Sequence, residues 1–289
     1  MPSRVNSWAT RFMAGDLIAD FRRAVSGPDD RVDLACAVLE IARDDYPDLD
    51  VAGYLRRIDQ IAVHVMERLG SEKTVYHRIA ALNSVMFEEH GFHGNRRNYY
   101  DPKNSFLNEV IERKMGIPIS LSVLYMEVAQ RTGLPLYGVS FPGHFLVKYS
   151  DDRERIVIDP FNAGEVKSRE SLGQLLESLY GGKVTLVDDF LEPVTKKQII
   201  RRMLNNLKMI YLQEKNFLKI LAVLQRLVVL DPSSAEDIRD RGSVYLKLEC
   251  FQYALADFES YLGLVPNAKD ADAVTEEIVT LRKQVQQIH

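Results

Sequence analysis

The sequence predicts an α+β protein with segregated helices and strands, followed by a region built only of helices. Three observations carry this. Apolar residues recur at helical spacing through most of the first hundred positions. Three short strand-like segments then follow one another within residues 136–158. After about Thr195 the pattern is helical only, and it repeats. Helices first, then a small antiparallel sheet, is the order of an α+β domain. The expected division is a first domain over 1–194 and a helical region over 195–289.

In the first part, Leu34, Val38, Leu39, Ile41 and Ala42 fall on one helical face, as do Leu55, Ile58, Ile61, Ala62 and Val65. From Gly91 to Lys103 the text GFHGNRRNYYDPK is rich in turn formers and predicts a long ordered loop. Asn104 or Ser105 is then expected to cap a short helix carrying Phe106, Leu107, Val110 and Ile111. A longer helix is predicted from Pro118 to Thr132. Proline opens it and Gly133 stops it, the usual asymmetry of helix ends. The strand candidates are Leu136–Ser140, His144–Tyr149 and Arg155–Ile158, with Asp151 and Asp152 in the turn between the last two.

In the second part, Tyr211 and Tyr245 are 34 residues apart. So are Phe217 and Phe251, Leu221 and Leu255, Leu230 and Leu264, and Pro232 and Pro266. A 34-residue period with a proline after each unit is the signature of tetratricopeptide repeats. The second unit also places Gly242, Ala254 and Phe258 where the repeat wants small, small and aromatic residues; the first has Lys208 and Ile220 at its small positions. Ala271 to Ile288 reads as a closing helix over the end of the stack.

Composition narrows the function classes. The 289 residues are 46% apolar and 27% charged, with a net charge of −4, which argues against nucleic acid or an anionic membrane as partner. The start lacks the apolar run of a secretory signal and no segment is long and apolar enough to span a bilayer, so no membrane association is expected. Cys36 and Cys250 have neither pairing nor metal-like spacing, which points to a reducing, cytoplasmic setting.

Chemistry concentrates in three short texts: Gly116-Ile117-Pro118-Ile119-Ser120-Leu121-Ser122, Gly143-His144-Phe145 and Ile158-Asp159-Pro160. A helix opening just after a glycine seats a nucleophile well, because its free N–H groups and positive end stabilise an anion. His144 and Asp159 supply a base and its orienter. The seat itself holds Pro118, which has no thiol and no backbone N–H. Ser122 lies one turn further, roughly 6 Å along the axis, and Ser120 is about 200° round and faces elsewhere. Either hydroxyl is a substitute nucleophile on paper, or simply bonds back to its own helix. His144 and Asp159 have a plain structural reading too, as a hydrogen bond tying two neighbouring strands.

These residues resemble the SirB1 family, which has a transglutaminase-like core and often tetratricopeptide repeats behind it. The resemblance rests on Gly94-Asn95, Tyr99-Tyr100-Asp101-Pro102, Asn104-Ser105, Leu107-Asn108, the Gly116–Ser122 text, Gly133-Leu134, Phe141–Val147 and Ile158–Phe161. It implies a cysteine-protease-like fold with a catalytic cysteine opening a helix, a histidine on the next strand and an aspartate on the one after. Here those positions fall on Pro118, His144 and Asp159. The resemblance implies ancestry from an acyl-transfer fold and leaves activity to the site itself.

Other candidates weigh less. His90 and His93 have a spacing that could seat a metal, but no third ligand is near in sequence, so no metal and no cofactor is expected. Tyr99 and Tyr100 either rim a cleft or anchor their loop. Cys36 is expected to be a buried, inert thiol, and Lys196, Lys197, Arg201 and Arg202 to solvate a helix face. The expected function is non-catalytic: a degenerate transglutaminase-like domain whose repeats bind a protein or peptide. The alternative is a hydrolase or acyl transferase acting on an amide or ester through His144 and Asp159, with Ser120, Ser122 or water as nucleophile. A third possibility is that the repeats only complete the first domain's burial.

Overall fold

The structure is a computed structural model that describes residues 16–71 and 74–288. In chain order its helices are α1 (Asp16–Ala24), α2 (Leu34–Ala42), α3 (Val51–Leu69), α4 (Val75–Asn83), α5 (Leu107–Arg113), α6 (Pro118–Arg131), α7 (Arg169–Tyr180), α8 (Lys196–Gln213), α9 (Phe217–Leu230), α10 (Ala235–Lys247), α11 (Phe251–Leu264) and α12 (Ala271–Ile288). The strands are β1 (His93–Gly94), β2 (Met115–Gly116), β3 (Tyr137–Val139), β4 (Leu146–Ser150), β5 (Arg155–Asp159) and β6 (Glu165–Lys167). The fold is α+β, as expected. The described residues form two compact units: Ala24–Met203, and residues 16–23 together with 204–288. The boundary falls inside α8.

The first unit is organised around α6. Every residue from Pro118 to Ala129 is buried, including Ser120, Ser122 and Glu127. A helix buried on all faces must be wrapped on all sides, and α2, α3, α4, α5, β3 and β4 all pack against this one. Pro118 suits its first turn, where the missing N–H has no acceptor inside the helix. The sheet is antiparallel in the order β3-β4-β5-β6, with Val147 facing Ile158 across the central pair. A separate two-residue parallel pair joins β1 to β2, His93 opposite Met115 and Gly94 opposite Gly116.

Several local expectations need correction. His144 is not on a strand: its N–H bonds the carbonyl of Phe141 at 3.0 Å, and β4 begins two residues later. Pro142 and Gly143, the latter at φ +67°, make a turn there that strand alternation does not describe. Neither Asn104 nor Ser105 caps α5; the cap position is Phe106, while Asn104 ends a short 3₁₀ turn over Pro102–Asn104 and is buried. The predicted loop Gly91–Lys103 contains β1 and the start of that turn. The stretch between Asp159 and Thr195, to which periodicity assigned no element, holds β6 and α7. Cys36 is half-buried rather than fully buried.

In the second unit the 34-residue period extends to backbone geometry. Helices α9 and α11 start at Phe217 and Phe251 and have the same length. The chain turns through a left-handed residue before each, Lys215 at φ 54° and Glu249 at φ 57°. The next N–H, Asn216 or Cys250, bonds back to Tyr211 or Tyr245, both at 2.9 Å. Gly242 is small for a reason: a Cβ there would stand 3.0 Å from the Phe258 ring. At the corresponding place in the first repeat, Lys208 reaches Asp240 at 3.2 Å. Val274, Ile278 and Leu281 are the buried face of α12, which packs on α11 as the closing helix.

Candidate functional site

The site is built on the ends of short elements in the first unit. Asp159 closes β5 and is fully buried. Its Oδ1 accepts from His144 Nε2 at 3.0 Å and from the Asn162 N–H at 3.3 Å, and its Oδ2 accepts from Asn162 Nδ2 at 2.7 Å. Lys167 Nζ stands 3.9 Å from Oδ2. Burial alone would raise the Asp159 carboxyl, but the His144 and Asn162 hydrogen bonds and the Lys167 charge prevail and hold it below its ordinary value. An ionised carboxylate only accepts, so Nε2 of His144 is the donor to it and Nδ1 is the ring nitrogen left for other contacts.

Nδ1 has no protein partner among the described residues, and it is not sealed from solvent. His144 as a whole is 8% exposed, and its ring stands perpendicular to that of Phe161 at 5.8 Å between centroids. The two residues are thus brought together as the sequence suggested, in a direct hydrogen bond. Among the described residues, no hydroxyl or thiol hydrogen-bonds the His144 ring. Pro118 fills the first turn of α6. Ser120 is fully buried and spent locally: its hydroxyl donates to the Asn104 carbonyl at 2.6 Å and accepts from the Ile117 N–H at 3.1 Å. Ser122 is equally buried, and its hydroxyl bonds no atom among the described residues, His144 included.

The loop ahead of α5 is ordered by amides. Asn95 Nδ2 donates to Asn104 Oδ1 at 3.0 Å, and Asn104 Nδ2 donates to the carbonyls of Asn98 and Tyr99 at 2.7 and 3.2 Å. This lays Tyr99 edge-on against Phe161, 6.4 Å between centroids, while Tyr100 points outward. Gly94 makes room, since a Cβ there would stand 2.6 Å from the Phe161 ring. On the other side of the aspartate, Gly164 at φ +73° gives its N–H to the Asp159 carbonyl at 2.9 Å. Its own carbonyl accepts from Asn83, which in turn accepts from the buried Tyr125 hydroxyl at 2.8 Å.

The basic cluster that opens α8 does more than solvate a face. The N–H groups of Lys196 and Lys197 bond the Asp29 carboxylate at 2.9 and 3.0 Å, which gives α8 a cap from far away in sequence. Their ammonium groups bond the carbonyls of Val32 and Gly27. Arg202 lies at the site: it donates to Ser140 Oγ at 2.5 Å and to the His144 carbonyl at 2.7 Å, and stacks over Phe145 at 5.3 Å. Sequence reasoning missed it, since spacing does not reveal that α8 returns to the histidine turn. His90 and His93 do not form a pair. His90 Nε2 meets His64 Nδ1 at 3.1 Å, and His93 bonds the Gly91 carbonyl. No group of three or more metal-ligating side chains occurs among the described residues, and no described helix is long and apolar enough to cross a membrane.

A buried histidine–aspartate pair whose aspartate ends a strand of a small antiparallel sheet, in a unit organised around a buried helix, and tandem helical repeats later in the sequence together define a transglutaminase-like protein with tetratricopeptide repeats. Comparison with known proteins agrees: the profile of the transglutaminase-like superfamily matches residues 52–205 and that of the tetratricopeptide repeat matches 207–278. The chain belongs to the SirB1/UPF0162 family. It is 38% identical to a UPF0162 protein of Xylella fastidiosa strain Temecula1 over 268 residues, 90% of this chain and 94% of that one. It is 31% identical to a UPF0162 protein of Vibrio cholerae over 234 residues, covering 81% and 84%. With the protein named SirB1 of Salmonella typhimurium it shares 27% over 248 residues, covering 85% and 91%. No solved structure matches the chain.

Proposed function

We propose that this is a cytoplasmic, non-catalytic protein- or peptide-binding regulator, in which the transglutaminase-like core has lost its chemistry and the repeats engage a protein partner. The observation that carries this is the state of the nucleophile seat. Pro118 offers neither thiol nor N–H, and the hydroxyl of Ser120 is committed to Asn104 and Ile117. Losing one oxyanion donor typically costs a factor of about a hundred or more in rate, before the missing nucleophile is counted. Tetratricopeptide stacks hold peptides or helices on their concave face, which supplies the binding half of the reading.

A second reading has one observation in its favour. Nδ1 of His144, with Asp159 on the other ring nitrogen, has the arrangement of a general base. In that case water would be the attacking group on an amide or ester, with no covalent intermediate on the protein. The two readings separate in one experiment. The full chain and its His144→Ala variant are incubated with capped peptide amides and esters, and product is followed by mass spectrometry. The binding reading expects no turnover by either protein. Turnover by the wild type that His144→Ala abolishes, with its fold intact by circular dichroism, would overturn it.

A further inference from the structure

Arg202 is a largely buried cation that no anion meets among the described residues. Two of its N–H groups are used, on Ser140 Oγ at 2.5 Å and on the His144 carbonyl at 2.7 Å, and both acceptors are neutral. Burial pulls its basicity down, and the ionisable groups that act on it are the phenols Tyr99 and Tyr180, with no carboxylate among them. A guanidinium taken out of water ordinarily has a carboxylate or phosphate to offset the cost. Of the cations around Asp159 and Phe161, Lys167 meets Glu165 and Asp159, and Arg96 bonds Asn162 while lying over Phe161.

A Cβ on Gly143 would stand 3.1 Å from the Tyr180 hydroxyl, so that hydroxyl abuts the backbone of the histidine turn itself. Tyr99 packs on Phe161, which packs on His144. Neither hydroxyl hydrogen-bonds a described residue, and neither is sealed from solvent. We propose that the Arg202 guanidinium, with the Tyr99 and Tyr180 hydroxyls, holds a carboxylate of a bound peptide beside His144. The carboxylate is favoured because no described carboxylate faces the Arg202 guanidinium. A planar guanidinium fork matches one carboxylate, whereas a phosphate dianion would leave a negative charge unmatched. That the carboxylate belongs to a peptide rests on the binding reading above; it can be a chain terminus or an acidic side chain.

The test is a nuclear magnetic resonance titration of the full chain, reading the Arg202 Nε–H signal, assigned by its loss in Arg202→Lys. The probes are N-acetyl-triglycine with a free C-terminus, the same peptide as its C-terminal amide, N-acetyl-Gly-Glu-Gly amide, and inorganic phosphate. A shift with the first, the third or both, and none with the triglycine amide, is the expected result; which of the two acts identifies terminus or side chain. Arg202→Gln is expected to weaken binding about tenfold or more, the loss of one charge-assisted contact. Tyr180→Phe and Tyr99→Phe should weaken it several-fold with no change in melting temperature, which a merely structural arginine would not produce. An equal response to the amide, a response to phosphate alone, or no response from Arg202 to any probe overturns the site. Cleavage of a probe in the same samples would count against the non-catalytic reading and not against this one.

Discussion

Ser120 is tied to Asn104. Its hydroxyl donates to the Asn104 carbonyl at 2.6 Å while accepting from the Ile117 N–H at 3.1 Å, so one buried side chain joins the 3₁₀ turn before α5 to the start of α6. Removing it strands a buried donor and a buried acceptor, which costs about 1–3 kcal/mol. Ser120→Ala should therefore lower the unfolding free energy in urea by that order. The His144 ring signals should stay where they are. A shifted His144 resonance without loss of stability would mean that the serine belongs to the site and not to the scaffold.

Gly164 is the tightest backbone approach near Asp159. A Cβ at this position would fall 2.0 Å from Asn83 Oδ1, and the residue sits at φ +73°. Both the overlap and the left-handed conformation oppose a side chain, so Gly164→Ala should cost at least about 2 kcal/mol. Asn83 would have to release either the Gly164 carbonyl or the Tyr125 hydroxyl. Thermal unfolding of the variant checks this directly; a melting temperature equal to wild type would show that the Asp159–Gly164 turn relaxes freely.

The Asp159 carboxyl titrates below its ordinary value when folded, because the His144 and Asn162 hydrogen bonds and the Lys167 charge outweigh its burial. A depressed carboxylate stabilises the fold at pH values above its unfolded pKa, about 3.9, and that contribution disappears as pH falls through the folded value. The unfolding free energy should thus decline in acid below about pH 4, and the decline should be shallower in Asp159→Asn. Glu112, Asp151, Asp188 and Asp270 are also depressed, but they remain in both proteins, so the difference in slope isolates Asp159. Parallel acid profiles would show that the histidine–aspartate pair adds nothing to stability.

What the sequence made legible follows the range of the forces involved. Helix α6 was readable from Pro118 to Arg131 because its punctuation is local: proline at the start, glycine after the end. The repeat was readable because each unit must present the same apolar faces to its neighbours. His144 and Asp159 could be named as a pair, but the turn that takes His144 off the strand depends on Gly143 adopting φ +67°. Strand β6 and helix α7 escaped notice because each buries so little; α7 buries only Leu172 and Leu176 fully, with Leu175 and Tyr180 partly buried beside them. Arg202 and the Asp29 cap of α8 were invisible for another reason. Both are contacts across long stretches of chain, made by residue types whose usual place is the surface.

The paired left-handed residues of the repeats supply a last prediction. Lys215 and Glu249 lie 34 positions apart at φ 54° and 57°, each just past a helix end, where helices usually place glycine. A side chain in this conformation costs about 1–2 kcal/mol, partly offset in a glycine variant by the greater freedom of the unfolded chain. Lys215→Gly and Glu249→Gly should each stabilise the protein by about 0.5–1 kcal/mol, with the two effects adding in the double variant. Side-chain chemistry predicts otherwise, since one change removes a positive charge and the other a negative one. If urea unfolding gives shifts of opposite sign, charge and not backbone geometry governs these turns. Equal, additive gains would show that the repeat is enforced at the level of the main chain, at positions where the two units share no residue identity.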